Sequence, residues 1–313
     1  MATDSNLDLV VTEHWEAAPR VLAIEVKALG PEPLPAWSPG DHIEIETPYG
    51  LRHYSLCGYP GDERWRIAVL RESDGHASAW LHTEAAVGMT LRSSPPRSRF
   101  PLEDSPEYLF IAGGIGITPI MAMIDDADTR GVPWRLLYGA QDSQAFAFSE
   151  RLRGFGDRVE LWSVSERGLP LLERAVAEAN ADASIYACGP SGMLDALQVA
   201  CTDAGRPLHL ERFQAGTALI EEGDGSAFEI VLARSQMNLH VPADRSILDV
   251  VLEAGVDAPW SCREGFCGTC ETAVLEGVPD HRDIILTDQE RDANNRMCIC
   301  VSRAHTTQLT LDL

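Results

Sequence analysis

Cys262-Arg263-Glu264-Gly265-Phe266-Cys267-Gly268-Thr269-Cys270 decides how the rest of this chain reads. Three thiols at C-x4-C-x2-C spacing, followed by a distant fourth, form the plant-type pattern for a [2Fe-2S] cluster. Thiolates are the soft ligands such a cluster needs, and Gly265 and Gly268 let the backbone pass close and aim N–H groups at its sulfurs. Zinc is the competing explanation, but zinc sites usually add a second C-x2-C or a histidine pair, and neither follows. Downstream, Cys300 and Cys298 both stand where the fourth ligand is needed. A cluster of this kind carries one electron at a time.

At 313 residues the chain suits two or three domains, each long enough to bury a core. It has no 18-residue apolar run to cross a membrane. Residues 1–12 lack the basic start and apolar stretch of a signal peptide, so a cytoplasmic, reducing setting is expected. Disulfides are therefore not the use of its eight cysteines. Beyond the cluster ligands, Cys57, Cys188, Cys201 and Cys298 read as small buried side chains. A net charge of −23 argues against nucleic acid and anionic membranes and favours a partner with a basic face. From residue 226 onward there are 14 acidic residues against 7 arginines, so the charge is spread rather than gathered into one docking patch.

Short alternating runs at 20–26, 42–46, 53–57 and 65–70, separated by Pro and Gly turns, predict an antiparallel β-barrel over 1–102. From residue 108 the rhythm becomes strand then helix. Strands are expected at 108–112, 134–138, 158–164, 184–188 and 208–212, with helices at 120–128, 144–152, 171–179 and 193–204. That alternation predicts an α/β doubly wound parallel sheet over 103–213. Residues 214–227 read as a linker. In 228–313 a strand pair at 228–241, a helix at 246–254 capped by Ser246 and a last strand at 308–312 frame the cysteine loop. No long heptad or apolar face suggests assembly, so a monomer is expected.

Gly113-Gly114-Ile115-Gly116-Ile117-Thr118-Pro119 falls between a strand and a helix, where glycines allow a pyrophosphate to approach the helix N-terminus. Thr118 is the expected cap, with Pro119 in the first turn. Cys188-Gly189-Pro190 and Met193, after the fourth parallel strand, open on the same edge. On the barrel, Arg52, Tyr54 and Ser55 suit an aromatic cofactor with a phosphate tail: guanidinium for phosphate, ring for the tricycle, hydroxyl for its redox nitrogen. Gly75 to Ser78 precedes a short helix expected from residue 79, offering either a phosphate site or an ordinary cap. Glu211 and Phe213 end the last parallel strand, placed either to meet nicotinamide and flavin or as a plain surface edge.

These motifs, in this order, resemble the phthalate dioxygenase reductase family along essentially the whole chain. The segments Val278-Pro279-Asp280-His281-Arg282-Asp283 and Cys300-Val301-Ser302-Arg303-Ala304 and the terminal Leu311-Asp312-Leu313 are the most specific. The resemblance implies an FMN-binding barrel, an NAD(P)H domain and a ferredoxin-like β-grasp domain. It selects Cys300 as fourth ligand beside Cys262, Cys267 and Cys270. It implies FMN contacts at Arg52, His53, Tyr54, Ser55, Val69, Arg71, Gly75 and Ser78, and Phe213 against the flavin. Nucleotide contacts fall at Gly113, Gly114, Gly116, Thr118, Cys188, Gly189, Pro190 and Met193. The chain departs from the family where His76-Ala77-Ser78 replaces Gly-Gly-Ser and where Ser98 replaces asparagine. Asp142 stands where members often carry arginines. A carboxylate there favours a ribose 2′-OH over a 2′-phosphate, so NADH is expected unless Asp142 merely caps the next helix.

Nicotinamide delivers two electrons together and the cluster accepts one, so a flavin must stand between them. Ser55, Cys188, Glu211 and Phe213 are the residues expected to act at that transfer. The expected recipient is a terminal oxygenase, Rieske-type or haem-thiolate. The rival reading is a stand-alone flavin or quinone reductase using a diffusible acceptor.

Overall fold

The computed structural model describes residues 6–73, 75–213, 227–260, 263, 265, 268–283, 285–286 and 288–313. Two compact units result, Met1–Arg212 and Phe213–Leu313. Most of the expected linker, 214–226, lies outside the described residues.

The first unit begins with β1 (Leu7–Ala18), β2 (Val21–Ala28), β3 (Asp41–Thr47), β4 (Gly50–Ser55), β5 (Trp65–Leu70), α1 (His76–Glu84), β6 (Thr90–Ser93) and β7 (Arg97–Ser98). The strands form one antiparallel sheet in the order β4-β3-β6-β1-β2-β5, with β7 on β3. Its ends come together where Cys57 N–H donates to Arg66 O at 2.9 Å, as a barrel requires. Leu9, Ile24, Ile43, Ile45, Trp65 and Ile67 alternate inward and are fully shielded, which is the period-2 pattern of a strand with one face buried. The other face of β3 breaks that pattern. His42 and Glu44 are only 4% exposed, because Arg97 and His53 cover them.

The chain continues through β8 (Tyr108–Gly113), α2 (Ile117–Thr129), β9 (Trp134–Ala140), α3 (Ser149–Arg153), β10 (Val159–Ser163), α4 (Val164–Arg167), α5 (Leu172–Glu178), β11 (Ser184–Cys188), α6 (Ser191–Asp203) and β12 (Leu208–Glu211). The sheet is parallel in the order β10-β9-β8-β11-β12, so the winding reverses between β8 and β11. A crevice at the carboxyl ends of these two strands is where doubly wound sheets take ligands. Helix α2 serves both layers: it follows β8 and also lends Ala122 to the barrel core. The expected helix at 144–152 is confined to Ser149–Arg153. Asp142 Oδ1 accepts from Gln144 N and Ala145 N, an Asx turn that occupies the segment instead.

The second unit contains β13 (Phe228–Leu232), β14 (Met237–Val241), α7 (Ile247–Glu253), β15 (Glu271–Glu276), β16 (Pro279–Asp280), α8 (Asp288–Ala293), β17 (Arg296–Cys298), β18 (Arg303–Ala304) and β19 (Gln308–Leu311). The sheet order β14-β13-β19-β15-β17 puts a parallel β13–β19 pair between antiparallel ones, with α7 packed on it through Ile247, Leu248 and Val251. Strands β16 and β18 pair separately. Ser246 caps α7 as expected, its Oγ accepting from Asp249 N at 3.0 Å.

Candidate functional site

Two turns meet at the carboxyl edge of the parallel sheet. A Cβ on Gly113 would stand 2.6 Å from Pro190 Cδ, one on Gly116 2.2 Å from Cys188 O, and one on Gly189 2.5 Å from Met193 Cε. These three glycines let the turns pack against each other. Gly114 differs: its φ is +55° and nothing lies within 4 Å of its Cβ position. It is therefore the glycine open to an approaching ligand, and its carbonyl is held by Tyr138 Oη at 3.0 Å. Tyr138, which accepts in turn from Ala147 N, is a supporting residue the strand pattern alone does not reveal.

Thr118 is not the cap of α2. The helix begins at Ile117, with Thr118 inside it and its hydroxyl donating to Ile115 O at 3.0 Å. The glycine turn tightens into a 3-10 turn and carries the chain into the helix without a side-chain cap.

Cys188 and Glu211 are register partners on β11 and β12. Burial, and the neighbouring Glu211 charge, raise the Cys188 thiol well above its usual range, so it is a neutral thiol and not a nucleophile. Glu211 is partly buried, and its Oε2 is shielded from water with no partner. Burial pushes its carboxyl up to about 8, against the opposing pull of Arg99. A protonated carboxyl at this edge can donate as well as accept. His209, two residues earlier, stacks flat on Tyr186 at 4.5 Å between ring centroids and so packs within its own layer.

On the barrel, β4 aligns Arg52, His53, Tyr54 and Ser55. Tyr54 packs against the barrel core, and burial raises its phenol. Arg52 is partly buried, with one guanidinium nitrogen on Leu51 O. Ser55 lies opposite His42 across the β3–β4 ladder. His42 has both ring nitrogens buried and without partners, and its ring lies tilted against that of His53, 5.0 Å between centroids. Burial, then the neighbouring His53, Arg99 and Arg97, pull its pKa down to about 3. The Arg99 charge bears on both His42 of the barrel and Glu211 of the last parallel strand.

Helix α1 starts at His76, three residues before the expected position. Ser78 is buried in its first turn, accepting from Glu72 N at 3.1 Å and donating to Gly75 O at 3.0 Å. Tyr49 stacks on His76 at 5.3 Å, which brings the tip of the β3–β4 hairpin to this helix. Val69 lies in the barrel core, its carbonyl 2.9 Å from His82 Nε2. Arg71 is exposed and bonds Arg20 through its backbone. Asp142 is exposed, and Phe213 is partly buried at the start of the second unit.

Of the expected cluster ligands, Cys262 and Cys267 lie outside the described residues; Cys270 and Cys300 are both buried in the second unit. Gly265 and Gly268 both have left-handed φ, +74° and +65°, a conformation that suits glycine. Cys298 is fully buried, and its thiol is raised by a hydrogen bond to the Cys270 side chain and by burial. Asp283 closes the same region. Its Oδ2 accepts from Leu286 N at 2.9 Å, and Ser302 Oγ lies 3.3 Å from Oδ1. Buried sulfur donors with no carboxylate among the expected ligands fit an iron-sulfur cluster, and the open Gly114 at the carboxyl edge of the parallel sheet fits a dinucleotide.

The 2Fe-2S iron-sulfur cluster binding domain family matches residues 230–305, and the oxidoreductase NAD-binding domain family matches residues 110–198. The chain is 44% identical over 320 residues to phenoxybenzoate dioxygenase subunit beta of Ectopseudomonas oleovorans, covering 100% of this chain and 99% of the other. Phthalate dioxygenase reductase, a solved modular structure for electron transfer from pyridine nucleotides to [2Fe-2S], superposes with a TM-score of 0.74 at 30% identity, over 99% of this chain and 98% of that one. This chain belongs to the phthalate dioxygenase reductase family. An intact type IV self-sufficient cytochrome P450 monooxygenase is also similar, with a TM-score of 0.85 and 37% identity over 98% of this chain. That match spans 41% of the longer P450 chain. As a member of the phthalate dioxygenase reductase family the chain is an oxidoreductase, with its NAD-binding and 2Fe-2S domains on one polypeptide. Among the described residues no helix is long and apolar enough to cross a membrane.

Proposed function

We propose that this protein is the reductase component of a multicomponent oxygenase, taking electrons from NADH through FMN and a [2Fe-2S] cluster to a terminal oxygenase. The observation that carries the reading is the joining of a doubly wound NAD-binding sheet, a flavin-type barrel and a 2Fe-2S domain in one chain. A small diffusible acceptor could meet the flavin directly, without the last domain.

Gly114 and the start of α2 would hold the pyrophosphate, with the helix N–H groups as donors. Gly113, Gly116, Gly189, Pro190 and Met193 set how closely the two turns approach and so where the nicotinamide end falls. Thr118 supports the turn through Ile115 O. Cys188, a neutral buried thiol, offers a compact wall, and Glu211, holding its proton at neutral pH, can donate to a carboxamide oxygen. Arg52, Arg71 and the first turn of α1, from Gly75 to Ser78, would serve the flavin phosphate, with Tyr54 and Ser55 toward the ring. His53 and Val69 shape the strands beneath. Phe213 would cover the flavin. Asp142, with Oδ1 on Gln144 N and Ala145 N, keeps a negative charge near the ribose end and favours NADH over NADPH.

When bound, the flavin supplies the change from two-electron to one-electron transfer. The balance is NADH to NAD⁺, two electrons and one proton. Cys262, Cys267, Cys270 and Cys300 would hold the cluster.

Acid release of iron and sulfide from anaerobically prepared protein, with extraction of the flavin, tests the reading. Two irons, two sulfides and one FMN per chain are expected, together with NADH oxidation coupled to a purified oxygenase. Release of zinc, or oxygenase-independent reduction of every acceptor at full rate after Cys267→Ala, would refute it.

A further inference from the structure

Helix α2 reaches the barrel at two places. Ala122 enters the barrel core, and Met123 Cε lies 3.1 Å from the Cβ position of Gly40, where a real Cβ would stand 1.8 Å from Phe100 O. Beyond these contacts lies Asp125, only 4% exposed. Its Oδ1 accepts from Arg151 of α3, and its Oδ2 is shielded without a partner. The guanidinium of Arg151 lies over the ring of Tyr59, 4.2 Å from the centroid. Tyr59 belongs to the barrel, in the segment that follows β4 and Ser55. One guanidinium, carried on α3 after the segment that holds Asp142, therefore touches both the helix that starts at the glycine turn and the barrel loop after Ser55.

We propose that Arg151, clamped between Asp125 and Tyr59, is a positioning residue that holds the nucleotide edge of the parallel sheet in register with the flavin strand of the barrel. It rests on the proposed reading that hydride passes between these two surfaces. Asp125 lies eight residues from Ile117, about 12 Å along a stiff helix, so fixing one end fixes the turn at the other. Only arginine serves here: its planar fork can bond a carboxylate edge-on while its face lies on a ring, which an ammonium cannot do.

Stability is a poor explanation for this arrangement. Burial pushes the Asp125 carboxyl up to about 6 against Arg151, the strongest opposing neighbour, and Arg66, with Asp128 pushing the same way as burial; Cys57 also lies within its field, and Glu25 acts on Cys57. Because the folded value exceeds the ordinary 3.8, the contribution of this group is present below 3.8 and lost as pH rises through about 6. Above that pH the ionised pair is kept at a cost to the fold. Buried ion pairs are often no better for stability than neutral replacements, so a gain in geometry is the more economical reason for this one.

Asp125→Asn, Arg151→Lys and Tyr59→Leu test it. In the holoenzyme, single-turnover flavin reduction at saturating NADH is expected to slow ten- to hundredfold, the penalty of about 1 Å of misplacement. The dissociation constant for NADH should move less than about threefold. Replacing both partners, Asp125→Asn together with Arg151→Leu, should give a protein that melts at pH 8 at or above the wild-type temperature, because no charge is then left buried alone. In the flavin-free chain, hydrogen exchange should quicken together in residues 56–62 and 146–153. Unchanged reduction rates, rates that fall only in step with melting temperature, or faster exchange in one segment alone would overturn the proposal. Wild-type protein that binds no flavin would sink the proposed function instead, and the exchange measurement would still decide on the clamp.

Discussion

At the carboxyl edge of the parallel sheet the start of α2 is built from glycines that a Cβ would ruin, whereas on the barrel the start of α1 is closed by a serine bonded to its own backbone. Both are runs of small residues ahead of a helix, and both invite the same reading as a phosphate cradle. In the first, Gly113 and Gly116 are used up by the neighbouring turn, and Gly114 alone faces open space. In the second, Ser78 already spans Glu72 N and Gly75 O. Small residues thus mark a place where backbones approach, but they do not say whether the approaching group is a ligand or the protein itself.

The strongest way to break the comparison is Gly116→Ala. Its Cβ meets backbone atoms of Cys188 and Gly189 that cannot move aside, so a loss of about 3 kcal/mol in unfolding free energy is expected, with NADH oxidation lost too. Denaturant titration beside Gly114→Ala sharpens it. There the left-handed φ costs about 1 kcal/mol, and the larger effect should be a weaker affinity for NADH.

Glu211→Gln should follow in size. For the wild-type residue, a folded pKa near 8 means a contribution present below the ordinary 4.5 and lost as pH climbs through about 8. The glutamine variant lacks that loss, so its advantage should grow across this window to on the order of 2 kcal/mol, discounted because the side chain is only partly buried. Melting temperatures from pH 5 to pH 9 check it; parallel curves would mean that Glu211 titrates normally.

Ser78→Ala is the smallest effect and the most direct probe of the barrel side. Removing its hydroxyl leaves Glu72 N–H short of an acceptor and should cost about 1 kcal/mol even in the flavin-free chain. An unchanged flavin-free melting curve with lost flavin would instead give the hydroxyl to the phosphate.

Much of this could be read from the chain before folding it. The strand-then-helix rhythm from residue 108 anticipates the doubly wound sheet, because alternation of periods is a local property and the inner strands β8, β9 and β11 are largely buried. Helix 144–152 was less legible: Asp142 binds the next backbone N–H groups and competes with the helix, a choice that pattern alone does not settle. Thr118 misleads for a related reason, since a threonine at a helix start serves equally as a cap or, one position inside, as a donor to the preceding turn. Tyr138 and Arg151 gave no signal at all, because each acts on a segment remote in the fold or reached only by a turn of the chain.

By itself the sequence determined the antiparallel barrel, the strand-helix alternation from residue 108 and the chemistry of the C-x4-C-x2-C loop, since spacing, periodicity and glycine placement act over a few residues. Only the tertiary structure decided that His42 is neutral, that Glu211 keeps its proton to about pH 8, and that Arg151 lies between Asp125 and Tyr59. Burial and charge at those positions are set by what distant segments bring against them. No local pattern encodes that.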